Sequence, residues 1–195
     1  MTPPPDPFNL EQFQDYLAVE AAHSRHTVES YLRDVRRLVD YAAGKGVGDP
    51  SAITAERLRD FIYFLKDLGL ATSSIARHVS SVRTYFRFLV SESRVAQDPS
   101  ERLESPKQWR KLPAVLTVIE AERLLAAPDA DQPLGWRDRA LLEFAYATGA
   151  RVSELVGVTV QDVWFDDGLV RIYGKGAKER LVPLGRRAAG AVAVY

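Results

Sequence analysis

The sequence predicts a mainly α chain in two domains: a four-helix N-terminal domain, then a mixed α/β domain carrying a small antiparallel β-hairpin. Three observations predict it. Apolar residues recur at three-to-four spacing in four successive runs between Leu10 and Val90. A Pro-rich, basic stretch without that periodicity follows over 98–116. Farther on, the period changes from helical to strand-like around a Gly-rich turn, between Leu169 and Leu184.

The Pro-rich residues 1–8 are expected to form a disordered tail, and the helical domain to occupy 9–97. Leu10 to Val19 reads as a first helix with Phe13, Tyr16 and Leu17 on one side. Thr27 to Ala43 is a second, its stripe running through Val28, Leu32, Val35, Leu38 and Ala42, and "GKGVGDP" stops it. Thr54 caps a third, "AERLRDFIYFLKDLG", which ends at Gly69. The fourth runs through "TSSIARHVSSVRTYFRFLV". At 100° per residue it gathers Ile75, Val79, Val82, Tyr85, Phe86 and Leu89 on one side and Arg77, Ser80, Arg83, Thr84 and Arg87 on the other.

The stretch 98–116, with Lys107, Arg110 and Lys111, reads as an interdomain linker, and 117–195 as the second domain. Thr117 and Glu120 suit a capping box for a helix through "VIEAERLLAA". "GWRDRALLEFAYATG" is a strongly apolar helix fit to centre a second core, and a short helix follows Arg151. Leu169–Tyr173 and Arg180–Leu184 pair as the hairpin, with Lys175 at its tip between Gly174 and Gly176. Tyr31, Tyr85 and Tyr146 fall on apolar helix faces and read as core.

Composition narrows the function classes. The 195 residues contain no cysteine, which excludes disulfides, thiolate metal sites and a cysteine nucleophile and fits the reducing cytoplasm. Neither a signal sequence nor an apolar run of membrane-spanning length is present, so no membrane partner is expected. His23 and His26 form an H-x-x-H pair with no further ligands, so no metal is expected there. His78, at the edge of an apolar face, reads as packed. Basic and acidic side chains balance at 26 each, yet cations are locally concentrated: Leu70 to Ser91 holds three arginines and no acid. Arg171 to Arg187 holds Arg171, Lys175, Lys178, Arg180, Arg186 and Arg187 against Glu179 alone. The fourth helix's polar face is therefore either a solvated surface or a phosphate-tracking one, since Arg, Ser and Thr are common donors to nucleic-acid backbones. Lys175 is either a solubilising turn residue or an amine projected into a groove.

Arg151, in "YATGARVSELVGV", poses the sharpest question. A cation at a helix N-terminus gains nothing from the helix dipole. An anion held jointly by the guanidinium and the first-turn N–H groups would compensate, which makes Arg151 a candidate phosphate ligand. Glu154, one turn on, either orients Arg151 or supports the helix.

The ordered motifs "ATGARVSELVGV" and "VRIYGKGAKERLVPLG" resemble the tyrosine recombinase (phage integrase) family, most closely its Xer branch and nearer XerD than XerC. Upstream, "RHTVESYLRDVRRLV", "SIARHVSSVRTYFRFLV" and "LPAVLTVIEAERLL" resemble the same family. The resemblance implies that residues 9–97 form a core-binding, SAM-like DNA-binding domain and 117–195 the first part of a catalytic domain. It implies DNA cleavage and rejoining through a 3′-phosphotyrosyl link without metal or nucleotide cofactor, on double-stranded DNA, by protomers assembled in a tetrameric synaptic complex. Arg151 matches the first catalytic arginine, at the scissile phosphate, and Lys175 the hairpin lysine that protonates the leaving 5′ oxygen. Arg77, Ser80, Arg83, Thr84, Arg87, Lys107, Arg110, Lys111, Lys178 and Arg180 are the expected DNA contacts. The family continues past the hairpin through a His-x-x-Arg motif, a further His or Trp, and the nucleophilic tyrosine. "GRRAAGAVAVY" contains none of these, and Tyr195 is not read as the nucleophile. The chain is therefore expected to be an N-terminal piece of a recombinase, with apolar surface left open on the "RALLEFAYA" helix. The alternative is a DNA-binding or regulatory module that occupies sites without cutting them.

Overall fold

The structure is a computed structural model, and it describes residues 6–107, 114–132, 134–174, 176 and 178–195. The chain divides into two compact units, Met1–Lys111 and Leu112–Tyr195.

The first unit is helical. Helix α1 (Leu10–Asp15) runs on into one π-helical turn, Tyr16–Glu20, where the sequence suggests a single regular helix. Helix α2 (Arg25–Gly44) starts at Ser24, whose side chain accepts from the Thr27 N–H. Thr54 caps α3 (Ala55–Asp67) in the same way, and Gly69 at φ +75° turns the chain out of it. Helix α4 (Thr72–Ser91) completes the unit. Their apolar stripes meet in one core, in which Phe13, Leu38, Phe61, Val82, Tyr85 and Leu89 are all but fully buried. Leu103 and Phe8 also belong to this core, so first-unit packing reaches into the stretch whose composition reads as a linker and takes in the last residue of the expected disordered tail.

The second unit begins with α5 (Val118–Ala126), which has the Thr117–Glu120 capping box. Helix α6 (Gly135–Thr148) follows, then the four-residue α7 (Val152–Leu155). Three strands form an antiparallel sheet in the order β1 (Val163–Trp164), β2 (Leu169–Tyr173), β3 (Glu179–Pro183). The predicted hairpin is β2–β3, with Val170 opposite Val182 and Ile172 opposite Arg180. Phe144 of α6, Val170 and Ile172 of β2, Leu184 and Ala188 form the core. Strand β1 and helix α8 (Arg186–Val194) are additional to the sequence reading. Tyr146 departs from it: it is 66% exposed rather than core, since α6 packs along Ala140, Glu143 and Phe144 and turns Tyr146 outward. An apolar groove lined by Leu141, Phe144, Leu155, Val158, Phe165 and Val192 stands open beside α6.

Candidate functional site

The local sequence dictates how Arg151 is presented. Thr148 ends α6 by donating its hydroxyl to the Phe144 carbonyl (2.7 Å) and accepting from the Ala150 N–H (3.2 Å). Gly149 then takes φ +61°, a left-handed turn that glycine enters without a Cβ penalty. The chain leaves extended and places Arg151 at the start of α7, with its side chain 76% exposed.

The anion beside Arg151 is a carboxylate of the protein itself. Glu154 Oε2 accepts from the Arg151 backbone N–H (3.0 Å), and Oε1 accepts from Arg151 Nη1 (2.9 Å). Oε2 also accepts from Arg180 Nη2 at 2.7 Å, an ion pair reaching across from β3. Glu154 takes the Arg151 backbone N–H at the start of the four-residue α7, so the anion found at this N-terminus is the protein's own. Both readings of Glu154 hold, for one carboxylate orients the guanidinium and caps the helix. Its side chain is 4% exposed, and the bond from Arg180, then that from the Arg151 N–H, hold its pKa down at about 2. Two guanidiniums and one carboxylate leave the cluster a net positive charge.

A second clamp stands behind the sheet. Asp162 accepts from the Thr159 hydroxyl (2.7 Å) and N–H (3.0 Å), which hold its pKa down, and receives Arg171 at 3.0 Å. The Arg171 guanidinium lies 5.5 Å from the Trp164 ring centre and 5.3 Å from that of Tyr173, within cation–π range.

In the first unit the polar face of α4 is less open than its angles suggest. Arg77 Nη1 lies 2.9 Å from the carboxylate of Asp34 on α2, which is 1% exposed. Ser81 donates to the same carboxylate (2.9 Å), and His78 Nε2 stands 3.3 Å from it. His78 is 1% exposed, packed as its position implies; burial, foremost among several influences, lowers its pKa. Arg83 donates to the Leu103 carbonyl. Among the described residues, Arg87, Ser80 and Thr84 bond only to groups on their own helix, and Ser80 and Arg87 are exposed. Lys107 and Lys178 are exposed as well. Lys175, Arg110 and Lys111 lie outside the described residues. His26 faces Glu29 at 3.8 Å, and the His23 ring lies tilted against Tyr31, 5.7 Å between centroids. Among the described residues no group of three or more His, Asp or Glu side chains could hold a metal ion.

Sequence reasoning missed the inward role of Arg180. The signal was present in strand alternation: Arg180 shares a face with Val182, and that face carries the core residues Val170 and Ile172.

Residues 10–93 match the phage integrase N-terminal SAM-like domain, and residues 114–195 match the phage integrase family. The chain belongs to the phage integrase family. Within it, the chain is 40% identical over 188 residues to the tyrosine recombinase XerD of Halalkalibacterium halodurans, covering 96% of this chain and 63% of that protein. It is 44% identical to XerD of Chlorobaculum tepidum, over 92% of this chain and 60% of that one. With XerC of Xanthomonas campestris pv. campestris (strain B100) it shares 40%, over 95% and 58%. This integrase-family chain thus spans about three fifths of the length of the curated relatives it matches. Its fold resembles that of lambda integrase (75-356), solved as a dimer bound to a COC′ core site, at TM-score 0.73 and 19% identity, covering 94% of this chain and 64% of that one. It also resembles the Tn1549 transposon integrase solved with circular intermediate DNA, at TM-score 0.71 and 16% identity, covering 95% and 64%.

Proposed function

We propose that this chain is the DNA-holding and phosphate-binding part of a tyrosine recombinase, a protein that performs site-specific recombination through a 3′-phosphotyrosyl intermediate. One observation carries the reading: Arg151 is anchored at its backbone and at one guanidinium nitrogen by a buried carboxylate, while its side chain remains 76% exposed. Such an arginine is oriented before any ligand arrives. A phosphodiester under attack gains charge on its nonbridging oxygens, and a preorganised planar donor stabilises that charge without reorganising. Arg180 offsets the charge of Glu154, so the cluster still attracts an anion. Lys175, between Gly174 and Gly176 in the sequence, is the proposed general acid, suited to the role when neighbouring cations lower its pKa. Ser80, Thr84 and Arg87 on α4, with Lys107, Arg110, Lys111 and Lys178, are the proposed backbone contacts. Arg77 and Arg83 join them only with donors left over from Asp34 and Leu103. Double-stranded DNA and further protomers of a synaptic assembly are the proposed partners.

The test is Arg151→Lys in the full-length protein, measuring single-turnover cleavage beside duplex affinity. Lysine keeps the charge but loses the planar two-point grip, so cleavage should fall by about 10²–10³ while affinity stays near wild type. Wild-type cleavage by the variant would remove the phosphate-clamp role. DNA binding with no cleavage in the wild type either would favour the regulatory module.

A further inference from the structure

Arg180 occupies an unusual place for a residue in a basic, DNA-facing motif. Its strand position opposite Ile172 turns it toward the core face of the sheet, and its side chain is 39% exposed. There it meets the carboxylate that also grips Arg151, so one acid joins a guanidinium from β3 to a guanidinium from the α6–α7 turn. Among the described residues, Arg180 and Arg151 are bridged through Glu154: Oε2 takes Arg180 and the Arg151 N–H, and Oε1 takes the Arg151 side chain. Gly174, where β2 leaves for the hairpin tip, makes room for this chain of contacts. A Cβ there would lie 3.3 Å from Glu154 Oε1 and 3.4 Å from Arg180 Nη1. Its own N–H closes the hairpin onto the Lys178 carbonyl at 2.7 Å. The base of the lysine-bearing hairpin and the presentation of Arg151 are therefore tied at one point.

We propose that Arg180 is a positioning residue, which acts through Glu154 to fix the orientation of Arg151 and to register the β2–β3 hairpin against it, and that it is not primarily a DNA contact. This deepens the reading above and rests on Arg151 being the phosphate-holding group. Loss of Arg180 would leave Glu154 with Arg151 alone, freeing the carboxylate to rotate and take the guanidinium with it. Lysine at 180 would restore the charge but offer a single donor point on a flexible stem.

The experiment is side-chain NMR of Arg151 in this chain without DNA, with thermal melts as the folding control. In Arg180→Gln the Arg151 Nε order parameter should fall below about 0.6, the flexible range, with Arg180→Lys intermediate. The carboxyl of Glu154, followed by carbon-detected titration, should move up from about 2 toward its ordinary 4.5. The double variant Arg180→Gln/Glu154→Gln should lose no more order than Glu154→Gln alone, the non-additivity expected of residues acting as one unit. Gly174→Ala, which keeps all three charged groups, should loosen Arg151 by crowding Oε1, and it serves should Arg180→Gln fail to fold. A second arm separates positioning from direct contact. A lost phosphate contact flattens the log–log salt dependence of duplex binding by about 0.9, whereas Arg180→Gln should leave that slope unchanged. An Arg151 order parameter unaltered in Arg180→Gln and Gly174→Ala overturns the proposal, as does a slope flattened by the full amount with Arg151 still rigid. The order-parameter arm uses no DNA, so it succeeds or fails independently of the recombinase reading.

Discussion

His78 shows how a buried residue converts packing into pH dependence. Its Nδ1 lies 2.8 Å from the Ser74 carbonyl, which assigns the proton there and leaves Nε2 facing Arg37 at 3.5 Å and Asp34 at 3.3 Å. Burial disfavours the imidazolium, the Ser74 carbonyl and Asp34 favour it, and Arg37 and Arg77 oppose it; the balance lowers the pKa below 6.5. The unfolded chain therefore takes up a proton where the folded one does not. Stability is fully present above pH 6.5 and falls as the pH drops below it toward the folded value. His78→Asn removes the titrating group and should flatten the decline of the first unit's melting temperature between pH 7 and pH 5. An equally steep decline in the variant would assign it to other groups. Glu154 has the opposite chemistry: its folded pKa of about 2 against an ordinary 4.5 keeps its contribution intact above pH 4.5. That contribution is lost only as the pH falls from there toward 2, so the melting difference between wild type and Glu154→Gln should shrink across that window.

At the scale of elements, α6 depends on an absent side chain at its first residue. A Cβ on Gly135 would lie 1.7 Å from the Asp129 carbonyl oxygen, which is backbone and cannot swing aside. Gly135→Ala should destabilise the second unit by at least the roughly 1–3 kcal/mol of ordinary overpacking, read as a lower denaturation midpoint in urea. An unchanged midpoint would show that the 129–135 turn yields freely. The four first-unit helices and the hairpin were legible because stripes and caps are local signals, and the turn that presents Arg151 was legible in Thr148 and Gly149. What escaped was set by neighbours distant in sequence. Nothing local announces that Asp34, on the buried side of α2, will meet Arg77, whose angle on α4 is polar. Arg180 reads as one more cation until the register places it opposite Ile172. Helix α8 escaped because "RRAAGAVAV" is short and interrupted by Gly190.

For the molecule as a whole, zero net charge and a polyanionic partner are compatible because the acids and cations are segregated. Several acids are committed to cations of the protein itself: Asp34 to Arg77, Glu154 to Arg151 and Arg180, Asp162 to Arg171. The exposed cations Arg87, Lys107 and Lys178 stand apart from these pairs. Duplex binding by this chain should therefore be steeply salt dependent, with a log–log slope that flattens by about 0.9 for each phosphate contact removed. Arg87→Ala should flatten it in fluorescence anisotropy, and the internally paired Arg171→Ala should not; equal effects would show that the ion pairs open on binding. A last consequence lies in Tyr85, whose hydroxyl donates to the Phe8 carbonyl at 2.6 Å from within the first core. Burial holds the phenol protonated far above its usual range. Electrophilic reagents such as tetranitromethane attack the phenolate, so of the chain's eight tyrosines Tyr85 should stay unmodified while Tyr63, Tyr146 and Tyr195 are nitrated. Nitration of Tyr85 would then report that the segment around Phe8 has left the core, a chemical clock for the opening of the helical unit.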